Sequence, residues 1–499
     1  MKRLISLILA VLIVAFGIIR LTKFFKHRSM INSAHSEFII ITNNVEKARF
    51  SLDRRDASTA SNIYFLNSVV GTLVKYGLSG RIEPYLAESW TVSNDKREWN
   101  FKIRPGLACQ DGSVISAKLI RDNLENNLRQ YAGTGSVIMF DHLHGWQDFK
   151  TDERKALSGL KVVDGNILQF KFDDNPDDLL ELLRMPYFGL WQESNGKLIS
   201  SGPYAIENFS SQEVNLRLRP EWFTSTVFSI KNVSIRFANE PREDAEIPPN
   251  TMMKFPLFSK KNNFRNGYWI ENLPVILEGI ALSPYKKSLF SDVENRRIFI
   301  ERIKSQLETQ GISTAFYPSA LTAEHRLQKK EYSHKDSGVL EFSLQRHNYS
   351  NAELTLISTL IKNALEGSGF EFRLVPASSD DPQRLDRENS NSYFDGRIFA
   401  VDVGAYPSYL GLKMMFCSKM GVSFPDPSGR ICEMTRNRIK ESRVLDQNFV
   451  NEFNSILLED ATIVPLGHYA EKWFVSESLD PRTLPSTTVY PQFELIRMR

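Results

Sequence analysis

The segment Asp141-His142-Leu143-His144 packs a carboxylate and two imidazoles into four residues, the densest set of metal-binding groups in the chain. A zinc site needs three or four such ligands converging on one point, and residues two apart share a face only on a strand. No further cluster of His or Cys stands nearby, so the spacing fits a polar surface segment better than a metal centre. The usual signatures of catalysis are also missing. There is no G-x-S-x-G elbow, no phosphate-binding G-x-x-x-x-G-K-[ST] loop and no H-E-x-x-H helix. The expectation is a binding protein without enzymatic activity, metal or cofactor; an exported metalloenzyme built on residues 141–144 ranks last among the readings. The three cysteines, Cys109, Cys417 and Cys432, are too few for a disulfide framework. Cys417 and Cys432 fit either one bridge in an oxidising compartment or two buried thiols.

Charge narrows the partners. The 62 basic and 59 acidic residues of this 499-residue chain leave a formal charge of +3, which gives no reason to expect nucleic acid. Part of the basic excess flanks an uncharged apolar run over residues 4–19, preceded by Lys2 and Arg3 and followed by Arg20, Lys23, Lys26 and Arg28. Such a run is an export signal. Ala15 and Gly17 suit a cleavage site, whereas the basic residues just after it suit a retained anchor. Sixteen residues is short of the roughly twenty that a spanning helix prefers, so residues 1–30 are read as signal peptide or membrane anchor. No cysteine stands there to carry a lipid.

The remainder reads as alternating strands and helices. Residues 37–42 form an isoleucine-rich strand, and residues 62–76 carry apolar side chains at helical spacing. Residues 99–103 alternate as a strand and stop at Pro105-Gly106. Ser116 stands where a helix N-cap would. Residues 160–172 form a hairpin about Asp164-Gly165-Asn166, and residues 204–206 pair back through Val214, Leu216 and Leu218. Ser291 and Glu294 have the spacing of a capping box. Residues 351–366 form an amphipathic helix ended by Gly367, followed directly by a strand over residues 370–374. This order is α/β. Residues 241–250 and 378–392 have linker composition.

More specific than any single element is the order of several ordinary segments. Leu73-Val74-Lys75-Tyr76 precedes Ile82-Glu83-Pro84-Tyr85-Leu86-Ala87-Glu88-Ser89-Trp90. Then come Phe101-Lys102-Ile103-Arg104-Pro105-Gly106, Asp111-Gly112-Ser113 and Ser116-Ala117-Lys118. Ser51-Leu52-Asp53 stands upstream. Ser201-Gly202-Pro203-Tyr204, Leu218-Arg219-Pro220-Glu221-Trp222-Phe223, residues 290–302 and Ile463-Val464-Pro465-Leu466 follow. This succession closely resembles the family 5 extracellular solute-binding proteins, the peptide- and nickel-binding class of ABC importers, over about residues 51–481. Most of these segments read as scaffold: turns, a tryptophan before a strand, strand starts.

The resemblance implies a two-lobed periplasmic-binding-protein-like α/β fold of type II, with an extra subdomain in lobe one. Lobe one would comprise residues 37–55, 185–273 and 468–499, the extra subdomain residues 56–184, and lobe two residues 274–467. A peptide or other small molecule would be held between hinged lobes and passed to the transmembrane subunits of an ABC transporter. The protein would act as a monomer in the periplasm or on the outer face of the cytoplasmic membrane. The positions matching the family's ligand-facing strands are Ala48, Arg49 and Phe50, and Asp402, Val403, Gly404, Ala405 and Tyr406; a loop at Met139 and Phe140 is a third wall. This chain departs from the family in three respects: no acid directly precedes Tyr406, the family's Trp is missing from this strand, and Ser283 stands where an Asn is common. Asp402, an even number of residues before Gly404, is the substitute for the acid that meets a peptide's α-ammonium. The eroded motif also suits a membrane-tethered sensing or scaffolding module that does not transport.

Overall fold

The computed structural model describes residues 37–43, 50–53, 60–77, 81–130, 140, 142–152, 154–176, 179–194, 197–226, 229–238, 244–255, 263–271, 276–309, 331–333, 337–344, 351–376, 393–402, 412–417, 424–441, 447–469, 472–484 and 492–498. The segment read as signal or anchor lies outside them. Among the described residues no helix is long and apolar enough to cross a membrane.

Three sheets organise the chain. The largest has seven strands in the order Tyr204–Phe209, Glu213–Leu218, Asn232–Ala238, Glu37–Asn43, Thr251–Phe255, Lys472–Ser476 and Gly267–Glu271. Its centre is parallel: Glu37–Asn43 lies between Asn232–Ala238 and Thr251–Phe255 and runs the same way as both. Strands in such a position are covered on both faces, which is why the isoleucine run is continuous rather than alternating. A five-stranded sheet follows the order Phe370–Pro376, Gly338–Leu344, Gly396–Asp402, Ile276–Leu282 and Ile463–Tyr469. Its first three strands are parallel, and the helices Val293–Thr309 and Asn351–Ala364 bury their apolar sides against it. The third sheet is antiparallel: Ala87–Val92, Glu98–Ile103, Ile167–Lys171 and Leu160–Val163.

Self-contained local signals form the elements they specify. The hairpin turns through Asp164 and Gly165, both at positive φ, and Ser116 Oγ accepts the Leu119 N–H at 3.1 Å to cap the helix Ala117–Gln130. Three readings need correction. The helix expected over residues 62–76 ends at Val69, and Val74–Tyr76 is a strand paired with Ile82–Pro84. The break is at Gly71, where a Cβ would lie 2.4 Å from the Ser201 carbonyl oxygen; tertiary contact there overrides helical spacing. The Ser291–Glu294 capping box is replaced by Asp292, whose Oδ1 accepts the Glu294 N–H at 2.8 Å, while the Ser291 hydroxyl donates to the Ser288 carbonyl. Residues 241–250 and 378–392 each join two strands of one sheet and so do not separate domains. The described chain passes between the two large sheets at 271–276 and 469–472.

Tertiary structure also explains the motif order. Arg219, 6% exposed, donates to the carbonyl oxygens of Gly202 at 3.0 Å and Ala108 at 2.6 Å, and its backbone N–H bonds the Pro203 carbonyl. Its guanidinium lies over Trp222. Trp222 and Phe223 meet buried Tyr85, and Arg104 both covers Phe223 and donates to the Tyr85 carbonyl. Segments spread from 84 to 223 thus converge on one joint between the antiparallel sheet and the seven-stranded sheet. They build the scaffold.

Cys417 and Cys432 form a disulfide, with Cα atoms 4.9 Å apart and a sequence separation of 15, while Cys109 is free and buried. A cross-link over a loop of that length restricts the unfolded chain by about 3 kcal/mol. Cys432→Ser is expected to reduce unfolding free energy by up to about that amount in a urea titration. Equal midpoints for oxidised wild type and variant would show that the bridge adds nothing.

Candidate functional site

Strand direction determines where a ligand can sit. In open α/β sheets the ligand lies beyond the carboxyl ends of the parallel strands, because chain connections there diverge and leave a crevice. In the five-stranded sheet that rim carries Leu344, Pro376 and Asp402, and Ile276 pairs with Asp402 and Tyr469. In the seven-stranded sheet it carries Asn43, Ala238 and Phe255, and Phe255 pairs with Lys472. One crossing leaves the first rim at Glu271 and enters the second at Ile276. The other leaves the second rim at Tyr469 and returns to the first at Lys472. Both crossings therefore join carboxyl rim to carboxyl rim across two to four residues, and the crevice-forming ends of the two sheets border the same passage.

The expected site residues fall differently around this passage. Asp402 is the last residue of its strand, on the rim, with its backbone paired to Ile276. Phe50, after the strand Glu37–Asn43, is 3% exposed. Its ring stacks on Phe237 at 4.5 Å and meets Phe65 edge-on, and its N–H donates to the Ser211 carbonyl at 2.8 Å. Phe140 is fully buried against Phe188 at 5.1 Å between ring centres, inside the apolar core that supports the antiparallel sheet. Both rings are core rings in this structure. Ala48, Arg49, Met139, Val403, Gly404, Ala405 and Tyr406 lie outside the described residues.

The metal candidate has a simpler account. His144 Nδ1 lies 2.6 Å from Asp173 Oδ1 on the exposed surface, while Leu143 between the imidazoles is fully buried. Asp141 lies outside the described residues. Among the described residues no three His, Cys, Asp or Glu side chains group around a point.

Two carboxyls in the five-stranded sheet escaped sequence reading. Asp395 is 1% exposed and stitches the amino-terminal rim: Oδ2 accepts the Lys286 ammonium at 2.8 Å and the Glu341 N–H at 2.9 Å. Glu278 is fully buried in the strand Ile276–Leu282, and neither of its oxygens has a hydrogen-bond partner. Burial, with the like charge of Glu353, holds its pKa well above the ordinary carboxyl range. The only sign in the sequence was an acid inside the apolar run Ile276-Leu277-Glu278-Gly279-Ile280.

Comparison with known proteins agrees with this geometry. Residues 81–246 match the model of the bacterial extracellular solute-binding proteins, family 5 middle region. The nickel-binding periplasmic protein of Escherichia coli (strain K12) is 21% identical over 194 residues, which are 37% of this chain and 34% of that protein. The match thus spans about a third of the curated relative's length. Among solved structures, the Escherichia coli murein tripeptide binding protein MppA aligns at a TM-score of 0.67 and 13% identity, over 93% of this chain and 98% of that one. Burkholderia pseudomallei OppA aligns at a TM-score of 0.71 and 12% identity, over 93% and 99%. At such identities the likeness speaks for the fold, which is the two-lobed α/β architecture.

Proposed function

We propose that this chain, a family 5 extracellular solute-binding protein, captures a peptide-like solute between two hinged lobes outside the cytoplasmic membrane and delivers it to an ABC transporter permease. One observation carries the reading: both chain crossings join carboxyl rim to carboxyl rim. A solute lodged there touches both sheets at once and favours the closed arrangement, because only that state gives it both sets of contacts. The lobes would divide as the sheets do. Residues 37–55, 185–273 and 468–499 belong to the first, residues 56–184 to its subdomain and residues 274–467 to the second. The murein tripeptide binding protein among the relatives suggests a peptide and the nickel-binding periplasmic protein a metal chelate; the peptide is the reading proposed.

Asp402 is the proposed anchor for the solute's ammonium group, since it ends a strand on the second rim. A cation paired to a carboxylate in a desolvated cleft gains more than at a surface. The backbone at Ala48-Arg49 and Val403-Gly404-Ala405-Tyr406 would hold the solute as an added strand; the Phe50 N–H is already taken by Ser211. Scattering and calorimetry with short peptides test both claims. A peptide with a free amino terminus is expected to shrink the radius of gyration, and Asp402→Ala to weaken it tenfold or more, about 1.4 kcal/mol. Contraction with unchanged affinity in Asp402→Ala removes the anchor and leaves capture standing. A radius that ignores peptides and the solutes extracted from purified protein alike removes capture itself.

A further inference from the structure

Glu278 occupies a singular position. It stands two residue pairs inward from the rim, where Ile276 pairs with both Asp402 and Tyr469; Glu278 itself pairs with Ala400 on one side and Gly467 on the other. The register with Ile463–Tyr469 slips immediately after it, so that Gly279 pairs with Pro465. The pairing of these two strands is therefore irregular, with Leu466 the extra residue, beside a fully buried carboxyl without a hydrogen-bond partner.

Among the described side chains the only charge that acts on that carboxyl is of its own sign. The strand partners Ala400 and Gly467 bring no ionisable group, and Asp402 stands two pairs nearer the rim, with His468 opposite Leu277. From the helix Asn351–Ala364 comes Glu353, 2% exposed, whose charge acts on Glu278. Lys304, buried on the helix Val293–Thr309, acts on Glu301. A buried carboxyl in such a place is tolerated as a neutral acid; as an anion it must find water or a donor. Strand ends and irregular pairs open more easily than strand interiors, and Glu278 lies beside the irregular pair and two pairs from the strand end.

We propose that Glu278 is a proton-operated control of the pairing between the strands Ile276–Leu282 and Ile463–Tyr469. Protonated, it leaves them in the register described; ionised, it draws water into the irregularity and loosens that pairing. The control acts on the chain without solute, so it stands or falls separately from capture.

Hydrogen exchange of the full chain, followed by mass spectrometry on peptides covering 276–282 and 463–469, tests it. Comparing wild type with Glu278→Gln at one pH cancels the intrinsic pH dependence of exchange. Near pH 8.5 these segments should exchange at least about tenfold faster in wild type, and near pH 5.5 the two proteins should match. Equal rates at the higher pH overturn the proposal, and so does a gap of the same size at both, which would mark a merely structural effect. Glu353→Gln supplies a second arm that does not need the first variant to fold. Removing the like charge eases ionisation of Glu278, so loosening should begin at lower pH; an unmoved onset overturns the proposal.

Discussion

Arg219→Met is expected to lower unfolding free energy by roughly 3–5 kcal/mol, seen as a fall in urea midpoint at unchanged slope. The guanidinium makes two charge-assisted hydrogen bonds to buried main-chain oxygens, on Gly202 and Ala108, each worth about 1.5–3 kcal/mol. Methionine keeps much of the apolar volume over Trp222 but leaves both oxygens without a donor. The carboxylate of Glu221, the third partner, is 62% exposed and rehydrates, so it adds little to the loss. Arg219→Lys should recover only part of the deficit, because one ammonium lacks the planar fork that reaches two carbonyls. A loss under about 1 kcal/mol for methionine would mean that water replaces the guanidinium there and that the joint does not depend on it.

Glu278→Gln is expected to stabilise the protein increasingly as pH rises. The unfolded glutamate titrates near its ordinary value of 4.5, while the folded one stays protonated well above it. Between the two values the folded chain binds one proton more than the unfolded chain, so raising pH favours unfolding by about 1.4 kcal/mol per unit. The stability tied to protonated Glu278 is therefore complete below the unfolded value and is lost as pH climbs toward the folded one. Glutamine carries no such linkage. The difference between variant and wild type should grow with pH throughout that window, whatever offset the amide itself introduces. A difference that stays flat with pH would mean that Glu278 ionises as freely folded as unfolded, with water reaching it.

Glu278 and Arg219 also mark the limit of what a linear reading can see. Periodicity and turn chemistry act over a few residues, so Ser116 as cap, Asp164-Gly165 as turn and the strand-then-turn at Ile103-Arg104-Pro105-Gly106 were legible before any coordinates. The order of the signature segments was legible too, and with it the two-lobed fold. The same local rules gave no warning at Gly71, where a carbonyl from residue 201 removes the room for a side chain and ends a helix. They could not tell that Asp292 rather than Ser291 caps the next helix, nor that two linker-like stretches stay within single sheets.

What the amino-acid order determined by itself was the kind of elements, their succession and the family they resemble, because each depends on neighbours in sequence. Tertiary structure alone decided that Tyr85, Arg104, Gly202, Arg219 and Trp222 form one joint, that both crossings run from rim to rim, and that a buried acid without a hydrogen-bond partner lies two residue pairs in from that rim. Those facts depend on strand register and on burial between residues far apart in the chain, and a buried carboxyl looks the same in a sequence as one facing water.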